Sequence, residues 1–316
     1  MKRSLKSDQN KIGVPCPRPS ADNKKGKIHP VIIYPFRPTG HYTDLQNLFE
    51  MVGTLAKQTN FYGRPITVID RKTHHALEQD AQYLSFRNDV VAKHSEILDV
   101  WCVDTCQMWY AGLGKALEQG QPEDVYWLIP GDFDYGSAPG KEVLSYLHDL
   151  PEICFELNQD ICIGEVTLNP GSSKALIDTY GTLALLYVWF PKEAVEILQD
   201  TVRPRSEFFA IRHAFLKEML NRRWYPFEQT LVLLVHALKG HKNVTRFAVG
   251  NISDLAGGKE SLSAAIQQVE RTELVLKSLW REYHNPDPDW IQQYRILETK
   301  SSQARQAAIS ILENQL

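Results

Sequence analysis

Two aspartates one residue apart are the side chains of this sequence best placed to do chemistry. Asp132 and Asp134 follow Val125–Ile129, an apolar and aromatic run that Pro130-Gly131 terminates. Such a run predicts a strand buried on both faces of a parallel sheet. Since alternate residues of an extended chain point the same way, both carboxylates could bind one Mg²⁺ or Mn²⁺ ion and leave positions open for phosphate oxygens. The plain alternative is an acidic turn that only ends the strand.

Composition limits the classes of protein to consider. The 316 residues suffice for one large α/β domain, alone or with a helical appendage. A net charge of -3 argues against a general nucleic-acid binder, so no nucleic-acid partner is expected. No apolar run approaches the roughly 20 residues of a membrane span, and the first residues lack the apolar core of a secretory signal. We therefore expect a cytoplasmic protein whose scattered cysteines are buried free thiols.

The elements around the aspartates must form the sheet that positions them. Val31–Tyr34, a helix from Leu45 to Ala56, and Ile66–Ile69 form a strand–helix–strand unit, which implies a parallel sheet. With Val125–Ile129 these strands should be neighbouring inner strands. Further strands are expected at 160–164 and 207–211, whereas residues 73–98 show only a weak helical pattern.

The expected organisation has three parts. Residues 1–29 form a basic tail with almost no hydrophobic periodicity, which predicts disorder. Residues 30–250 form the α/β domain, with a mostly parallel sheet flanked by helices. Residues 251–316 form a helical extension, and its two amphipathic helices either pack on the domain or form an arm for a homo-oligomer.

Six pieces of sequence occur in an order that resembles a known family. They are a strand ending at Pro35, a strand ending at Asp70, Asp132-Phe133-Asp134 with Pro139 and a helix after it, a strand ending at Gly164, Asp200 before Ser206–Arg212, and Phe227-Glu228. This order resembles the nucleotide-sugar-binding domain of family-2 glycosyltransferases, which have the GT-A fold, and most nearly those that use polyprenyl phosphates. The resemblance covers about residues 30 to 250.

The resemblance implies a function for several of these residues. It implies a nucleoside-diphosphate-sugar donor, an unidentified acceptor, and Mg²⁺ or Mn²⁺ on Asp132 and Asp134. It also implies that Asp70 contacts the base or ribose of the nucleotide. The membrane helices of the lipid-linked members are absent, Arg71-Lys72-Thr73 replace the usual acidic motif after Asp70, and Glu207 replaces a glycine. The donor nucleotide and the acceptor therefore stay open.

The chemistry of sugar transfer suggests further candidates. A leaving diphosphate needs positive charge, and a neutral acceptor hydroxyl needs a base. Basic candidates are Arg37, Arg203, Arg205, Lys242 and Arg246, and candidate bases are Asp200 and Glu228, with His241 as a possible metal or phosphate ligand. Each of these charges could equally be an ordinary surface charge, Glu228 a first-turn helix residue, and His241 a helix cap.

Three other functions are compatible with an Asp-x-Asp after a strand. A haloacid-dehalogenase-type phosphatase needs Thr or Val where this chain has Gly136, and a domain that begins at the motif. A sugar nucleotidyltransferase normally has a Gly-rich basic loop after its first strand, and Tyr34–Gly40 matches it poorly. The third is a degenerate GT-A domain that serves as a non-catalytic scaffold. Metal-dependent nucleotide binding separates the scaffold from the enzymes.

Overall fold

A computed structural model describes residues 26–35, 42–167, 172–200, 204–225, 228–252, 261–285 and 289–316, without the side chains of Thr43, Asp44 and Asp200. Residues 1–25 of the predicted basic tail lie outside the described residues. The first strand begins at Ile28, two residues before the predicted start of the domain.

Seven strands form one sheet. In chain order they are β1 (Ile28–Tyr34), β2 (Ile66–Asp70), β3 (Glu96–Val100), β4 (Val125–Pro130), β5 (Ile161–Val166), β6 (Phe209–Arg212) and β7 (Val244–Gly250). Their order across the sheet is β3-β2-β1-β4-β6-β5-β7. All pairs are parallel except the two that involve β6, which is antiparallel to β4 and to β5. The prediction of a mostly parallel sheet is confirmed, and β2, β1 and β4 are neighbours as expected.

Two strands were not found from the sequence. Both β3 and β7 lie at the ends of the sheet order, and most of their residues are partly exposed. An edge strand lacks the continuous apolar run of a central one, so its pattern resembles that of a loop.

Helices cover both faces of the sheet. They are α1 (Tyr42–Leu55), α2 (Arg71–Leu77), α3 (Ala81–Ser85), α4 (Ala92–His94), α5 (Thr105–Gln119), α6 (Ala138–Tyr146), α7 (Asp149–Glu156), α8 (Ser173–Leu176), α9 (Ala184–Trp189), α10 (Pro191–Asp200), α11 (His213–Leu220), α12 (Gln229–Lys239), α13 (Leu262–His284) and α14 (Trp290–Gln315). Two π-helical segments, Phe86–Val91 and Ile177–Leu183, continue α3 into α4 and α8 into α9.

The alternation of side chains along β4 divides the core into two layers. Tyr126 and Leu128 pack in the layer formed by α5 and α9 to α14, whereas Val125, Trp127 and Ile129 pack in the layer formed by α1, α6 and α7. All five side chains are fully buried. The strand is therefore interior on both faces, as its composition predicts.

The C-terminal helices belong to the first of these layers. Trp189 of α9 donates a hydrogen bond from Nε1 to Ser301 Oγ of α14 at 2.9 Å, and Ser301 donates to Glu273 Oε1 of α13 at 2.7 Å. Both helices thus pack on each other, on α9 and on the π-helical segment before it, rather than extending as an arm.

Two further expectations concern the cysteines and the membrane. Cys102, Cys106, Cys154 and Cys162 are buried free thiols, as predicted, and Cys16 lies outside the described residues. Among the helices of the described residues, none combines the length and the apolar character that crossing a bilayer requires.

Candidate functional site

The carboxyl edge of the sheet, where β1, β2, β4, β5 and β7 end, holds the aspartate pair. After β4, Phe133 and Tyr135 are buried, whereas Asp132 and Asp134, which alternate with them, are partly exposed. The alternation therefore holds both carboxylates on the outer side of the segment while both rings anchor it. This is the arrangement that the spacing of the two aspartates predicts.

The turn after the pair is fixed by the first turn of α6. Asp134 Oδ1 accepts hydrogen bonds from the backbone N–H groups of Gly136 at 3.1 Å and Ser137 at 3.0 Å, and Ser137 caps α6 by accepting from Gly140 N–H at 3.2 Å. A Cβ atom on Gly140 would lie 1.9 Å from the Asp134 carbonyl oxygen, so only glycine permits this close approach. Because both of these bonds use Oδ1, Oδ2 is the atom of Asp134 that suits a cation.

A third carboxylate, Glu207, which the sequence did not reveal as a site residue, affects the same buried tyrosine as Asp132. Burial foremost, and then the charges of Asp132 and Glu207, raise the pKa of the Tyr135 hydroxyl well above its ordinary value. That hydroxyl donates to Pro130 O at 2.7 Å, so it stays protonated.

The position of Glu207 follows from the sheet register. Leu128 pairs with Phe209 across the antiparallel β4–β6 ladder, so the residues just before β6 run alongside those just after β4. The ring centroids of Phe133 and Phe208 are 4.9 Å apart and hold the two segments together. Only the antiparallel direction of β6 brings Glu207 here, and that direction was not predicted.

Asp70 ends β2 on the same edge, with β1 between it and β4. Its buried side chain accepts from Lys72 N–H at 2.9 Å and so caps α2. The nearby Cys102 thiol has its pKa raised to about 12, first by burial and then by Asp70, which keeps the thiol protonated. Asp70 and the Asp132/Asp134 pair thus lie on one edge, on either side of the end of β1.

Arg205 and Glu228 meet in a buried ion pair. Arg205 Nε is 3.3 Å from Glu228 Oε2, and its Nη1 lies 3.8 Å from Asp178 Oδ1 and donates to Gln268 Oε1 at 2.8 Å. Burial raises the pKa of the Glu228 carboxyl group, although Arg205 and Arg271 counteract it. The structure therefore brings two predicted site residues together, but Glu228 is 0% exposed and contacts Arg205 rather than open solvent.

His241 and Lys242 lie at the opposite edge of the sheet from the aspartates. Both directly precede β7, which is parallel to β5 and begins at the amino edge. Lys242 Nζ is 3.1 Å from Glu218 Oε2 and lies over the Phe215 ring, and His241 has a positive φ of 52° after α12. The expectation that these residues bind metal or phosphate beside Asp132 is therefore corrected. Residues just after a helix-ending glycine lie where the next parallel strand starts, and that end is remote from its ligand edge.

The remaining sequence candidates are only partly described. Arg37 and Arg203 lie outside the described residues, as does the side chain of Asp200. Arg246, within β7, is 3.4 Å from Glu165 Oε2.

One group of three potential metal ligands occurs among the described residues. It consists of His148, Asp149 and Glu152, at the start of α7. All three are partly exposed, and they are consecutive or one turn apart on one surface helix. Such clusters are common without an ion, so this group does not compete with the edge site.

The sheet order, the antiparallel β6 and the acidic turn after β4 define a GT-A-like fold. Glucosyl-3-phosphoglycerate synthase from Mycobacterium tuberculosis, crystallised with Mn²⁺, UDP and glucosyl-3-phosphoglycerate, matches with a TM-score of 0.54 at 11% identity over 79% of this chain and 80% of the other. The same enzyme with Mn²⁺, UDP-glucose and phosphoglyceric acid matches with a TM-score of 0.54 at 12% identity over 79% of each chain. A crystal structure described as a mycobacterial protein matches with a TM-score of 0.55 at 11% identity, over 80% of this chain and 74% of that one.

These matches confirm the predicted fold. At identities near one residue in nine, they show a shared architecture and leave the activity to be argued from the site. No protein-family model matches the sequence, and no curated protein matches it either.

Proposed function

We propose that this chain is a metal-dependent glycosyltransferase that takes a sugar from a nucleoside-diphosphate-sugar donor. The observation that carries the proposal is the placement of the two carboxylates of Asp132 and Asp134 just after the central strand β4, on the edge that Asp70 shares. In open α/β sheets this edge is the ligand-binding edge. The fold that this chain shares with synthases crystallised with UDP and Mn²⁺ adds support.

The donor set of the site fits a hard divalent cation. Asp132 and Asp134 offer carboxylate oxygens only, which are the ligands that Mg²⁺ and Mn²⁺ prefer. Two carboxylates on the same side of one short segment repel each other, and a cation relieves that repulsion. When bound, the ion would act as a Lewis acid toward the diphosphate oxygens of the donor.

The other residues would bind and orient the donor. Asp70, held in place by its cap on α2, would accept hydrogen bonds from the base or ribose. In the transfer, the bond from the anomeric carbon to the diphosphate oxygen breaks, a bond to the acceptor oxygen forms, and the leaving electron pair stays on the nucleoside diphosphate. Arg205, whose guanidinium lies against Glu228, would supply positive charge to that leaving group.

We propose a different role for Glu228 from the one the sequence suggested. A general base must reach the acceptor hydroxyl, directly or through one water. Glu228 is fully buried against Arg205, so we assign it as a positioning residue that holds the guanidinium. Asp200 stays the candidate base proposed from the sequence.

A thermal-shift titration tests the proposal. UDP, GDP and ADP are titrated with and without Mn²⁺ or Mg²⁺. One of them at about 100 times its Kd should raise the melting temperature by about 5 °C, and only when the metal is present. Asp134→Asn keeps the Oδ1 acceptor of the turn, so it should fold normally and lose this rise. Asp149→Asn, in the other candidate cluster, is the matched control and should keep it.

The outcomes separate the proposal from its alternatives. A metal-dependent shift followed by release of nucleoside diphosphate from a sugar nucleotide supports a transferase. Release of pyrophosphate from a nucleoside triphosphate and a sugar phosphate would instead indicate a nucleotidyltransferase. A metal response that is undiminished in Asp134→Asn would show that the aspartate pair only terminates the strand.

A further inference from the structure

A pocket of 260 Å³ lies at the N-terminal end of α5, beside the segment that joins α11 to α12. It is lined by Asp104, Cys106, Gln107, Tyr110, Trp224 and Tyr225. Because α5 runs from the end of β3 to the start of β4, its N-terminus lies on the carboxyl edge of the sheet. The pocket therefore lies on the same edge as the aspartate pair, and none of its residues belongs to the site described above.

The aromatic side chains of the pocket form a fixed apolar surface. The rings of Tyr110 and Trp224 meet edge to face with centroids 5.2 Å apart. Trp224 Nε1 donates to Met219 O at 3.2 Å, which fixes the orientation of the indole. Tyr110 is 47% exposed, so an apolar ring face is presented to a ligand at little cost in reorganisation.

The polar groups of the pocket offer both a hydrogen-bond acceptor and a donor. Asp104 is only 5% exposed, and its Oδ1 accepts from Gln107 N–H at 3.1 Å as the cap of α5. Its Oδ2 has no hydrogen-bond partner among the described residues. Gln107 Oε1 accepts from Val103 N–H at 2.8 Å, which leaves its amide N–H groups as donors. A buried acceptor without a partner is expensive unless a ligand or water donates to it.

The charge of the pocket argues against an anionic ligand. No Lys, Arg or His is among the lining residues, and Asp104 brings a carboxylate. Arg223 is near, with its guanidinium carbon 5.1 Å from the centre of the Tyr225 ring, but it stacks on that ring rather than lining the pocket. An anion would therefore meet a carboxylate without a cation beside it.

We propose that this pocket binds a neutral sugar ring, which belongs to the acceptor of the reaction proposed above. Sugar rings combine an apolar face of C–H groups, which stacks on aromatic rings, with hydroxyls that donate to carboxylates and accept from amides. The pocket supplies each of these partners. That the sugar belongs to the acceptor rests on the proposed function, whereas the binding of a sugar ring in the pocket does not.

The pocket adjoins the edge on which the donor would bind. After burial, the charges of Asp70 and Asp104 both contribute to raising the pKa of the Cys102 thiol. The carboxylate assigned to the nucleotide and the carboxylate of the pocket thus act on one buried side chain. A sugar in the pocket would lie beside the donor rather than on a remote surface.

Saturation-transfer NMR and calorimetry with methyl glycosides test the inference. The ligands are methyl α- and β-glycosides of the common hexoses and their 6-phosphates, each with and without UDP and Mn²⁺. At least one neutral glycoside should bind, and its phosphate should bind more weakly. Tyr110→Ala should weaken the binding about fivefold and Asp104→Asn about tenfold.

Each variant has a matched control. Tyr187 is an equally prominent exposed tyrosine on α9, and Tyr187→Ala should leave glycoside binding unchanged. Asp80 caps α3 as Asp104 caps α5, so Asp80→Asn makes the same change at a helix cap outside the pocket. Asparagine is as good a cap as aspartate, so both variants should fold.

The outcomes distinguish failure of this inference from failure of the proposed function. If no neutral glycoside binds under either condition, if the 6-phosphates bind more tightly, or if Tyr110→Ala and Asp104→Asn behave as their controls, the inference is wrong. UDP and Mn²⁺ titrated into the same samples report on the donor site alone. Glycoside binding without any nucleotide binding would overturn the proposed function and keep the sugar pocket.

Discussion

Strand β4 has an aspartate at either end, and the two ends differ in how their carboxylates are satisfied. At the amino edge, Asp124 is buried and accepts from Lys27 N–H at 2.6 Å and from Gln121 N–H at 2.7 Å, and its Oδ2 lies 2.7 Å from His29 Nε2. Burial alone would raise the pKa of Asp124, but the hydrogen bonds from His29, Lys27 and Gln121 outweigh it and lower that pKa.

At the carboxyl edge, two carboxylates are satisfied differently. Asp134 accepts two backbone hydrogen bonds at Oδ1 alone, and Asp104 Oδ2 is buried without a hydrogen-bond partner among the described residues. The same residue type is thus a structural anchor at one end of the strand and, in the function proposed above, a ligand at the other. The state of its hydrogen bonds, rather than the amino acid, distinguishes the two roles.

The largest effect in this comparison should come from removing the satisfied carboxylate. Asp124→Ala leaves two backbone N–H groups and a histidine without their acceptor, and should lower the free energy of unfolding by about 3 kcal/mol. Because the pKa of Asp124 is lowered, its contribution is present at every pH above its unfolded value and lost only as the pH falls through the folded one. Urea unfolding at pH 6 and pH 8 should show the same loss.

Nucleotide binding provides the control for Asp124→Ala. The metal-dependent rise in melting temperature should survive in this variant, measured from its own lower baseline. A variant as stable as the wild type would contradict the view that Asp124 is the anchor of this edge.

The second effect concerns a histidine in the last turns of α12, toward the amino edge. Burial, followed by the charge of Arg222, lowers the pKa of His236 to about 4, and its Nδ1 contacts the Tyr283 hydroxyl. The unfolded state binds the proton of His236 more readily than the folded state does. The contribution of neutral His236 to stability is therefore lost as the pH falls from about 6.5 toward 4. At pH 5 the loss relative to pH 8 should be about 2 kcal/mol.

His236→Gln isolates that contribution. Glutamine can still bond Tyr283 but does not titrate, so the difference in unfolding free energy between variant and wild type should move in favour of the variant as the pH falls. Parallel stability curves for the two proteins between pH 8 and pH 5 would refute the assignment.

The third effect should have the opposite dependence on pH. Because the pKa of Glu228 is raised in the folded protein, folding favours its protonated form. The resulting contribution to stability is present below about pH 4.5 and is lost as the pH rises through the pKa of the folded state. Glu228→Gln should change the stability at pH 7 by only about 1 kcal/mol, because losing the pair with Arg205 is offset by removing a buried charge.

Kinetics then separate positioning from catalysis at Glu228. If Glu228 positions Arg205, the glutamine variant should lose transfer in part and keep the shape of its pH–rate profile. A profile that loses its acidic limb together with nearly all activity would show that Glu228 is itself the base.

The smallest effects are expected at the amino-edge residues once proposed as ligands. Lys242→Ala removes a half-exposed ion pair with Glu218 and should lower the stability by less than about 1 kcal/mol. His241→Asn suits the positive φ of 52° and should change the stability by only a few tenths of a kcal/mol. Neither should alter the response to Mn²⁺ and UDP in thermal-shift assays, and a lost response in either would restore that residue to the site.

The sequence predicted the central part of the fold because burial on both faces leaves a strong pattern. The neighbouring strands β1, β2 and β4, the turn with Asp132 and Asp134, and the two C-terminal helices were all evident. The edge strands β3 and β7 were missed because one side of each is partly solvated, which dilutes the apolar signal.

The site was predicted only as far as local spacing reaches. The Asp132/Asp134 pair and Asp70 follow strands directly, so their edge could be inferred from chain direction alone. Glu207 and the pocket at Asp104 depend on how distant segments meet, and His241 and Lys242 were misplaced because the strand after them was not recognised. The spacing of two residues along the chain does not tell how far apart they lie once the strands have taken their order in the sheet.

The hydrogen bond from Trp189 to Ser301 has a consequence for how the chain is made. Helices α9, α13 and α14 pack on one another in one layer of the core, and this bond joins residues 112 positions apart. During synthesis β1 to β7 and α9 leave the ribosome first, and the apolar side chains of α9 have no complete partner until α14 has followed. A nascent chain paused before residue 290 should therefore be captured by chaperones and cut readily by proteases, although every strand of its sheet is already present.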